Sequence, residues 1–321
     1  MKAWKLLAAA VAVLGCVAGA SAQEWPQKPV KIVVPYPAGA GVDPVARLVG
    51  QKLSERWKQT VIVDNKPGGS GTIGATYVAR APGDGLTIMM SATAEVVINQ
   101  FIMDKMQYDP ETDLVPVTLA VRLPFILVTH PSNPYSNIAE LVAYAKKNPG
   151  KVTYASSGPG TPQHLAAVLL EQLSGTQMVH VPYKGIAPSI TDLLANHVSI
   201  GFAGLPAGLP HVQKGSLKPL AVSSKASSPA APQVPPIAAT PGLEQFELNQ
   251  WFGIWVPKGT PEPVVAQIQR DIAAVLQMPD VKETLEKQGA QPSGMPTAEF
   301  AKFVQSERKK FAAIVKSAKL D

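Results

Sequence analysis

Two short stretches carry the residue types that could hold an anion. Pro37-Ala38-Gly39-Ala40-Gly41 follows an apolar run and precedes a helical one. Side chains this small leave the backbone N–H groups open to a ligand, and the positive end of a helix follows closely. The competing reading is a turn that needs glycine only for φ > 0. A comparable feature recurs in Tyr154-Ala155-Ser156-Ser157-Gly158-Pro159-Gly160-Thr161, again after an apolar run and before a helix. Two such loops facing each other make a clamp for a carboxylate. Ala38, Gly39, Ala40 and Gly41 would supply N–H donors from one side, and Ser157, Gly158 and Thr161 N–H and hydroxyl groups from the other. Ser91 and Gly204 end apolar runs and are expected at the floor of the same cleft. No arginine or lysine falls in these loops, so fixed neutral dipoles are expected to stabilise the anion without a buried counter-charge. Neither loop contains a base or an activated nucleophile, which makes the pair a poor catalytic site.

Enzyme signatures are otherwise missing. No G-x-S-x-G elbow, Walker A or H-E-x-x-H occurs. His130, His164, His180, His197 and His211 lack ligand spacing and read as surface or capping residues. His164, in the first turn of a helix, is the one that could lean into the cleft. Gly69-Ser70-Gly71-Thr72-Ile73-Gly74 has the written form of a dinucleotide fingerprint. However, residues 64–68 separate it from the preceding strand, and no acidic residue closes a following strand about 20 residues on. A loop that caps a helix is expected there, and no cofactor.

The elements that must position these loops follow from apolar periodicity. Strands are expected at 30–34, 61–63 and 86–90, with helices at 44–57 and 73–81. Asp43-Pro44 reads as an N-cap followed by a first helical proline. The pattern then restarts, with strands at 125–129, 152–155, 179–181, 198–202 and 217–223 and helices at 138–147, 162–173 and 188–195. Residues 226–241, rich in Ala, Pro and Ser, read as a connection. A strand at 251–256 and helices at 263–277, 281–288 and 298–316 complete the chain. Alternating strands and helices imply right-handed crossovers and mostly parallel sheets. Trp251, Gly253 and Trp255 share one strand face and are expected in the core.

Composition narrows the class. The net charge of +6 has no basic stripe behind it, so nucleic acid is not an expected partner. Lys2 and Lys5, an uncharged run over 6–17, and Ala20-Ser21-Ala22 read as an export signal cleaved after Ala22, which places the working protein in the periplasm. A loose lipobox, Val13-Leu14-Gly15-Cys16, offers lipid attachment at Cys16 as the alternative. Cys16 is the one cysteine, so cleavage after Ala22 removes thiol chemistry. No other run approaches the roughly 20 apolar residues of a membrane span.

Several stretches, taken in order, resemble the Bug family of extracytoplasmic solute receptors, the binding components of tripartite tricarboxylate transporters. They are Val33-Val34-Pro35-Tyr36-Pro37-Ala38-Gly39 with Asp43 and Ala46-Arg47, Asp64-Asn65-Lys66-Pro67-Gly68-Gly69-Ser70-Gly71, and Pro82-Gly83-Asp84-Gly85. Ser157-Gly158 with His164-Leu165-Ala166, Val181-Pro182-Tyr183-Lys184-Gly185, Trp251-Phe252-Gly253 and Val256-Pro257-Lys258-Gly259-Thr260-Pro261 continue the series. The resemblance implies an α/β chain with the two-lobed type II periplasmic binding-protein fold. Residues 1–22 would be the signal, 23–125 plus 226–321 the first lobe and 126–225 the second. It also implies a monomer that binds a small organic acid and meets membrane permease subunits. A ligand-sensing co-receptor for a membrane sensor kinase is the alternative, and a nucleotide-dependent enzyme a more distant one.

Overall fold

The computed structural model describes residues 25–39 and 41–318. The export signal, Cys16 and Ala40 lie outside the described residues.

β1 (Val30–Val34) is Val-Lys-Ile-Val-Val and is buried at four of its five positions, because neighbours pair with it on both sides and helices cover its faces. α1 (Val42–Trp57) lays Val45, Ala46, Val49, Leu53 and Trp57 against that sheet, a stripe at helical spacing, and stops at Lys58 in the left-handed region. β2 (Val61–Asn65), α2 (Thr72–Ala79) and β3 (Thr87–Ser91) complete two strand-helix-strand units, with β1 pairing in parallel with both β2 and β3. A single π turn, Ala94–Ile98, follows β3. β4 (Leu114–Leu123) then runs directly into β5 (Phe125–Thr129).

The second sheet is built from β5, α3 (Ile138–Lys147), β6 (Thr153–Ser156), α4 (Pro162–Ser174), β7 (Val179–Pro182), α5 (Ile186–Leu194), β8 (Ile200–Gly204), α6 (Leu205–Gln213) and β9 (Lys218–Val222). Its order is β7-β6-β8-β5-β9. β10 (Gln250–Pro257), α7 (Glu262–Leu276), α8 (Pro279–Lys287), β11 (Gln291–Pro292) and α9 (Thr297–Ala318) return to the first sheet, whose order is β11-β4-β10-β3-β1-β2. Between the sheets, Ala231, Val234 and Ile237 still pack on the second one, and Phe246 stacks on Phe202 at 6.2 Å.

Each sheet is mixed, where periodicity predicts mostly parallel strands. β1 pairs in parallel with β2 and β3, whereas β10 pairs antiparallel with β3 and β4. β6 is parallel to β7 and β8, and β5 antiparallel to β8 and β9. The strands that arrive by crossing, β5 in the second sheet and β10 in the first, run against the strands they pair with there, and β11 runs with β10. Ser223 fixes both crossings. Its hydroxyl accepts from the Phe125 N–H at 2.9 Å and donates to Asn249 Oδ1 at 3.0 Å.

Three elements escaped the periodicity: β4, α6 and the two-residue β11. β4 carries Pro116, which argues against a central strand. It is tolerated because the register slips between Ile254 and Trp255, opposite that proline. α6 reads Leu-Pro-Ala-Gly-Leu-Pro-His-Val-Gln, a loop by composition. It forms because Gly208 lets the helix settle on β5 and β8: an added Cβ would lie 2.7 Å from Ile126 Cγ2 and 3.0 Å from Ala203 Cβ. Trp251 and Trp255 are buried in the core against Phe300 of α9, as their shared face predicts.

Candidate functional site

The small-residue loops stand at the C-terminal ends of β1 and β6, where open α/β sheets bind ligands. In the first loop Ala38, Gly39 and Gly41 are exposed, and Gly39 takes φ +81°. The sequence places Asp43 as a helix cap; the structure corrects this. α1 starts at Val42 with Gly41 at the cap position and no side-chain cap, so Asp43 lies inside the first turn. Its buried carboxylate turns back on the loop. Oδ2 accepts the Gly39 N–H at 2.9 Å and the Arg47 Nε–H at 2.9 Å, and Oδ1 accepts from Asn65 Nδ2 at 2.8 Å. Asn65 also donates to the Tyr36 carbonyl at 3.0 Å. Burial acts to raise the Asp43 pKa, but the hydrogen bonds from Arg47, Gly39 and Asn65 outweigh it and hold the carboxyl below its usual range. The Gly39 N–H, expected to face a ligand, is therefore an anchor of the loop.

The second loop is also held from within. Ser156 Oγ accepts the Gly158 N–H at 3.1 Å and touches His180 Nε2 at 2.6 Å. The Thr161 hydroxyl donates to the Gly158 carbonyl at 2.7 Å and caps α4 by accepting the His164 N–H. Gly158 N–H and the Thr161 hydroxyl thus have internal partners, against the expectation that both are offered outward. Among the described residues, the amides of Ala38, Gly41 and Ser157 have no internal acceptor. Gly160 abuts Ile102 of the first unit, an added Cβ lying 2.8 Å from Ile102 Cδ1, so this loop reaches across to the first sheet's segments. Ser91, fully buried at the end of β3, has a hydroxyl with no partner among the described residues. Gly204 ends β8 opposite Phe125 and forms the N-cap position of α6.

Two groups that sequence reasoning missed lie behind these loops. The first is a stack: the His164 and His180 rings lie 3.9 Å apart at 6°, with Tyr154 5.0 Å from His180. Together with Glu171, Gln172 and Met178 they line a cavity of about 540 Å³. His164 is buried and its Nδ1 accepts the Gly160 N–H at 3.1 Å, so it buttresses the loop from behind and does not lean into the cleft. Burial, then the neighbouring His180, lowers the His164 pKa from 6.5 to about 4. The unfolded chain takes up a proton as pH falls through about 6.5 while the folded protein stays neutral there, so this contribution to stability is full above that pH and gone near pH 4. Glu95, in the π turn after β3, acts in the opposite sense over the same range, so the test is the difference between two proteins. Relative to His164→Asn, which keeps an acceptor for Gly160 but does not titrate, the wild type should lose urea stability between pH 7.5 and pH 4.5. A difference between the two midpoints that does not change with pH would reject the assignment.

The second is Glu95, fully buried in the π turn after β3. Its only sequence signal is a lone acid in an apolar run. Oε1 accepts the Ala92 N–H at 2.8 Å and Oε2 the Tyr36 hydroxyl at 2.7 Å. Burial raises its pKa from 4.5 to about 7. The glycine run at 69–74 is a turn packed beside it. Gly69, Ser70 and Gly71 all have positive φ, and Asn99 Nδ2 holds the Ser70 carbonyl at 2.9 Å.

No metal-holding group of three or more His, Cys, Asp or Glu side chains and no membrane-spanning helix occurs among the described residues. The sequence profile of the "Tripartite tricarboxylate transporter family receptor" matches residues 45–320. Protein BugT of Bordetella pertussis is 32% identical over 307 residues, covering 95% of this chain and 94% of its own. A solved R. palustris protein with adipate shares 34% identity and superposes with a TM-score of 0.78, covering 92% of this chain and 98% of the other. MatC from Rhodopseudomonas palustris with bound malate gives 28% and 0.74, over 91% and 100%. The chain belongs to the tripartite tricarboxylate transporter receptor family, whose members are periplasmic solute-binding receptors and not enzymes.

Proposed function

We propose that the protein captures a small organic acid, of the dicarboxylate class, in a cleft between two lobes and delivers it to a tripartite tricarboxylate-type membrane permease. The lobes are residues 25–123 with 250–318, and residues 125–248; the stretch 226–248, expected with the first lobe, is assigned to the second because Ala231, Val234 and Phe246 pack there. The observation that carries the reading is the matched pair of loops at the ends of β1 and β6. Each is locked by side chains on its inner side, buried Asp43 with half-buried Asn65 for one and buried His164 with half-buried His180 for the other. That locking leaves the amides of Ala38, Gly41 and Ser157 as the anion donors, with the Ser91 hydroxyl, which has no partner among the described residues, at the floor. The expectation for Ala40 falls outside the described residues. Gly158, Thr161 and Gly204 shape the opposite wall. Preorganised neutral donors recognise an anion with little reorganisation on binding. The relatives with adipate and malate support a dicarboxylate. Export by cleavage after Ala22 fits the family's compartment.

A thermal-shift panel of C4 to C6 dicarboxylates should raise the Tm of the mature protein, and NAD and ATP should not. Ala38→Asp sets a carboxylate among the donors at an exposed position. It should weaken binding of the best acid by roughly 100-fold through like-charge repulsion while leaving the Tm of the free protein nearly unchanged. Wild-type affinity in that variant would show that the first loop does not meet the ligand.

A further inference from the structure

The carboxyl of Glu95 has two neutral hydrogen-bond donors and no facing cation among the described residues. Titratable groups face it from two directions. Tyr36 comes from the loop after β1, and Tyr108, whose hydroxyl donates to the Glu95 carbonyl, from the segment before β4. The glycine turn presents only Gly71, where an added Cβ would lie 3.0 Å from Oε2. From α9, Arg308 directs its guanidinium to the carbonyls of Val96 and Pro110 and to Glu111, not to Glu95. Burial raises both tyrosines further above neutrality, so within this nest Glu95 is the group that changes charge between pH 6 and 9.

Its position matters as much as its environment. Tyr36 immediately precedes Pro37 and Ala38, and Ala92 immediately follows Ser91. One carboxyl therefore staples the two first-lobe segments that line the cleft. An acid seated on the Ala38 amide and beside Ser91 brings a second anion within a layer of backbone of the first. Like charges in a shielded setting disfavour each other, and the least costly relief is for one of them to take a proton. Proton and ligand then help each other's binding by the same factor.

We propose that capture of an anionic ligand takes up a proton from solvent, and that the proton goes to the carboxylate of Glu95, converting it to the neutral acid. The proposal rests on the carboxylate reading above. Once protonated, Glu95 can donate to the Tyr36 oxygen, and the Tyr36 hydroxyl no longer serves an acceptor on Glu95. Glu95 is a positioning residue whose charge state senses the ligand without touching it.

The test is calorimetric titration of the mature protein with adipate and with malate, from pH 6.5 to pH 8.5, in buffers of high and low ionisation heat. Both acids are predominantly dianions across this window, and the small release from their remaining monoanion at pH 6.5 is measured in the same way for wild type and variants. If the ligand raises the Glu95 pKa by about one unit, uptake is roughly half a proton per ligand near pH 7.5. Affinity is then about six-fold tighter at pH 6.5 than at pH 8.5. Glu95→Gln accepts from Ala92 and donates to Tyr36, so it mimics the protonated form. It should bind with an affinity independent of pH and release or take up no proton. Tyr36→Phe removes one donor to the carboxylate, and should move the pH dependence to higher pH even if Glu95→Gln folds poorly. Binding without proton uptake, uptake that persists in Glu95→Gln, or an unmoved profile in Tyr36→Phe would overturn the proposal and leave the carboxylate reading standing. Failure of both acids to bind at every pH would remove that reading and the inference with it.

Discussion

Replacing Asp43 by alanine should cost the protein both its ligand and about 2–3 kcal/mol of stability. The carboxylate is the common acceptor for Gly39, Arg47 and Asn65. Removing it leaves the Gly39 amide and one of the two Asn65 Nδ2 hydrogens without an acceptor, the other still donating to the Tyr36 carbonyl, while Arg47, half exposed, recovers water. The stability loss is therefore smaller than for a fully buried pair. The functional loss should be larger, because Gly39 at φ +81° is held in place by this contact and the neighbouring donors depend on its geometry. Affinity for the best dicarboxylate should fall roughly 100-fold or more, since donors displaced by an ångström no longer converge. Asp43→Asn should behave almost as badly, because its amide group faces donors on every side. The pH dependence follows from the depressed pKa. The stabilisation is complete above the unfolded value of about 4 and is lost as pH falls through the lower folded value. Acid unfolding of Asp43→Asn should lack that component. Urea unfolding and calorimetry on the same variant separate the two effects, and near-native affinity in Asp43→Ala would mean that the loop does not depend on this anchor.

Gly74→Val should be the most destabilising single change near the cleft. An added Cβ at Gly74 would lie 2.9 Å from Pro35 Cα and 3.0 Å from the Lys66 carbonyl oxygen and Pro35 Cβ. Two of these are backbone atoms, which cannot step aside as a flexible side chain can, and a β-branched residue adds two further methyl groups. Overpacking of this kind costs about 3 kcal/mol, a Tm loss of roughly 6–12 °C for a chain of this size. Because Pro35 begins the ligand loop, affinity should suffer as well. Ser70→Gly, on the same motif but at φ 52° where glycine is at ease, should be neutral or slightly stabilising. This contrast distinguishes a close helix-to-strand contact from a nucleotide cradle. The glycines of 69–74 serve a left-handed turn and a tight approach, so the variants should alter stability without conferring or removing any response to NAD. Equal melting temperatures for Gly74→Val and the wild type would show that α2 can move away from Pro35 at no cost.

Much of the scaffold is readable along the chain. Val30 to Val34 is apolar at nearly every position because helices cover both faces of the sheet, and the helical stripe that ends at Trp57 needs only local spacing to be seen. The loops at 37–41 and 157–161 announce themselves by small residues between a strand and a helix. Reading failed where a local rule was overridden by packing. Pro116 lies in a ten-residue strand because the register slips opposite it, and α6 forms through two prolines and a glycine because β5 and β8 offer it a close seat. The direction of β5 and β10 was hidden for a related reason: strand polarity in a sheet depends on which unit the chain comes from, and no local pattern records that.

The loops with which the site began were legible as loops, but their inner chemistry was not. Composition determines that the cleft has small neutral donors and no lysine or arginine among them, because those are properties of the residues themselves. Which donors remain for a ligand is decided by side chains a few residues away that turn back on the loops, and those side chains are held in turn by partners distant in the chain. Asp43 takes Gly39 and Asn65, 22 positions away, and His164 takes Gly160 while stacking on His180. Glu95 meets Tyr36 across 59 positions. Hydrogen bonds depend on distance and angle in space, so a sequence states which groups can donate and accept, and only the folded chain decides which of them are already taken.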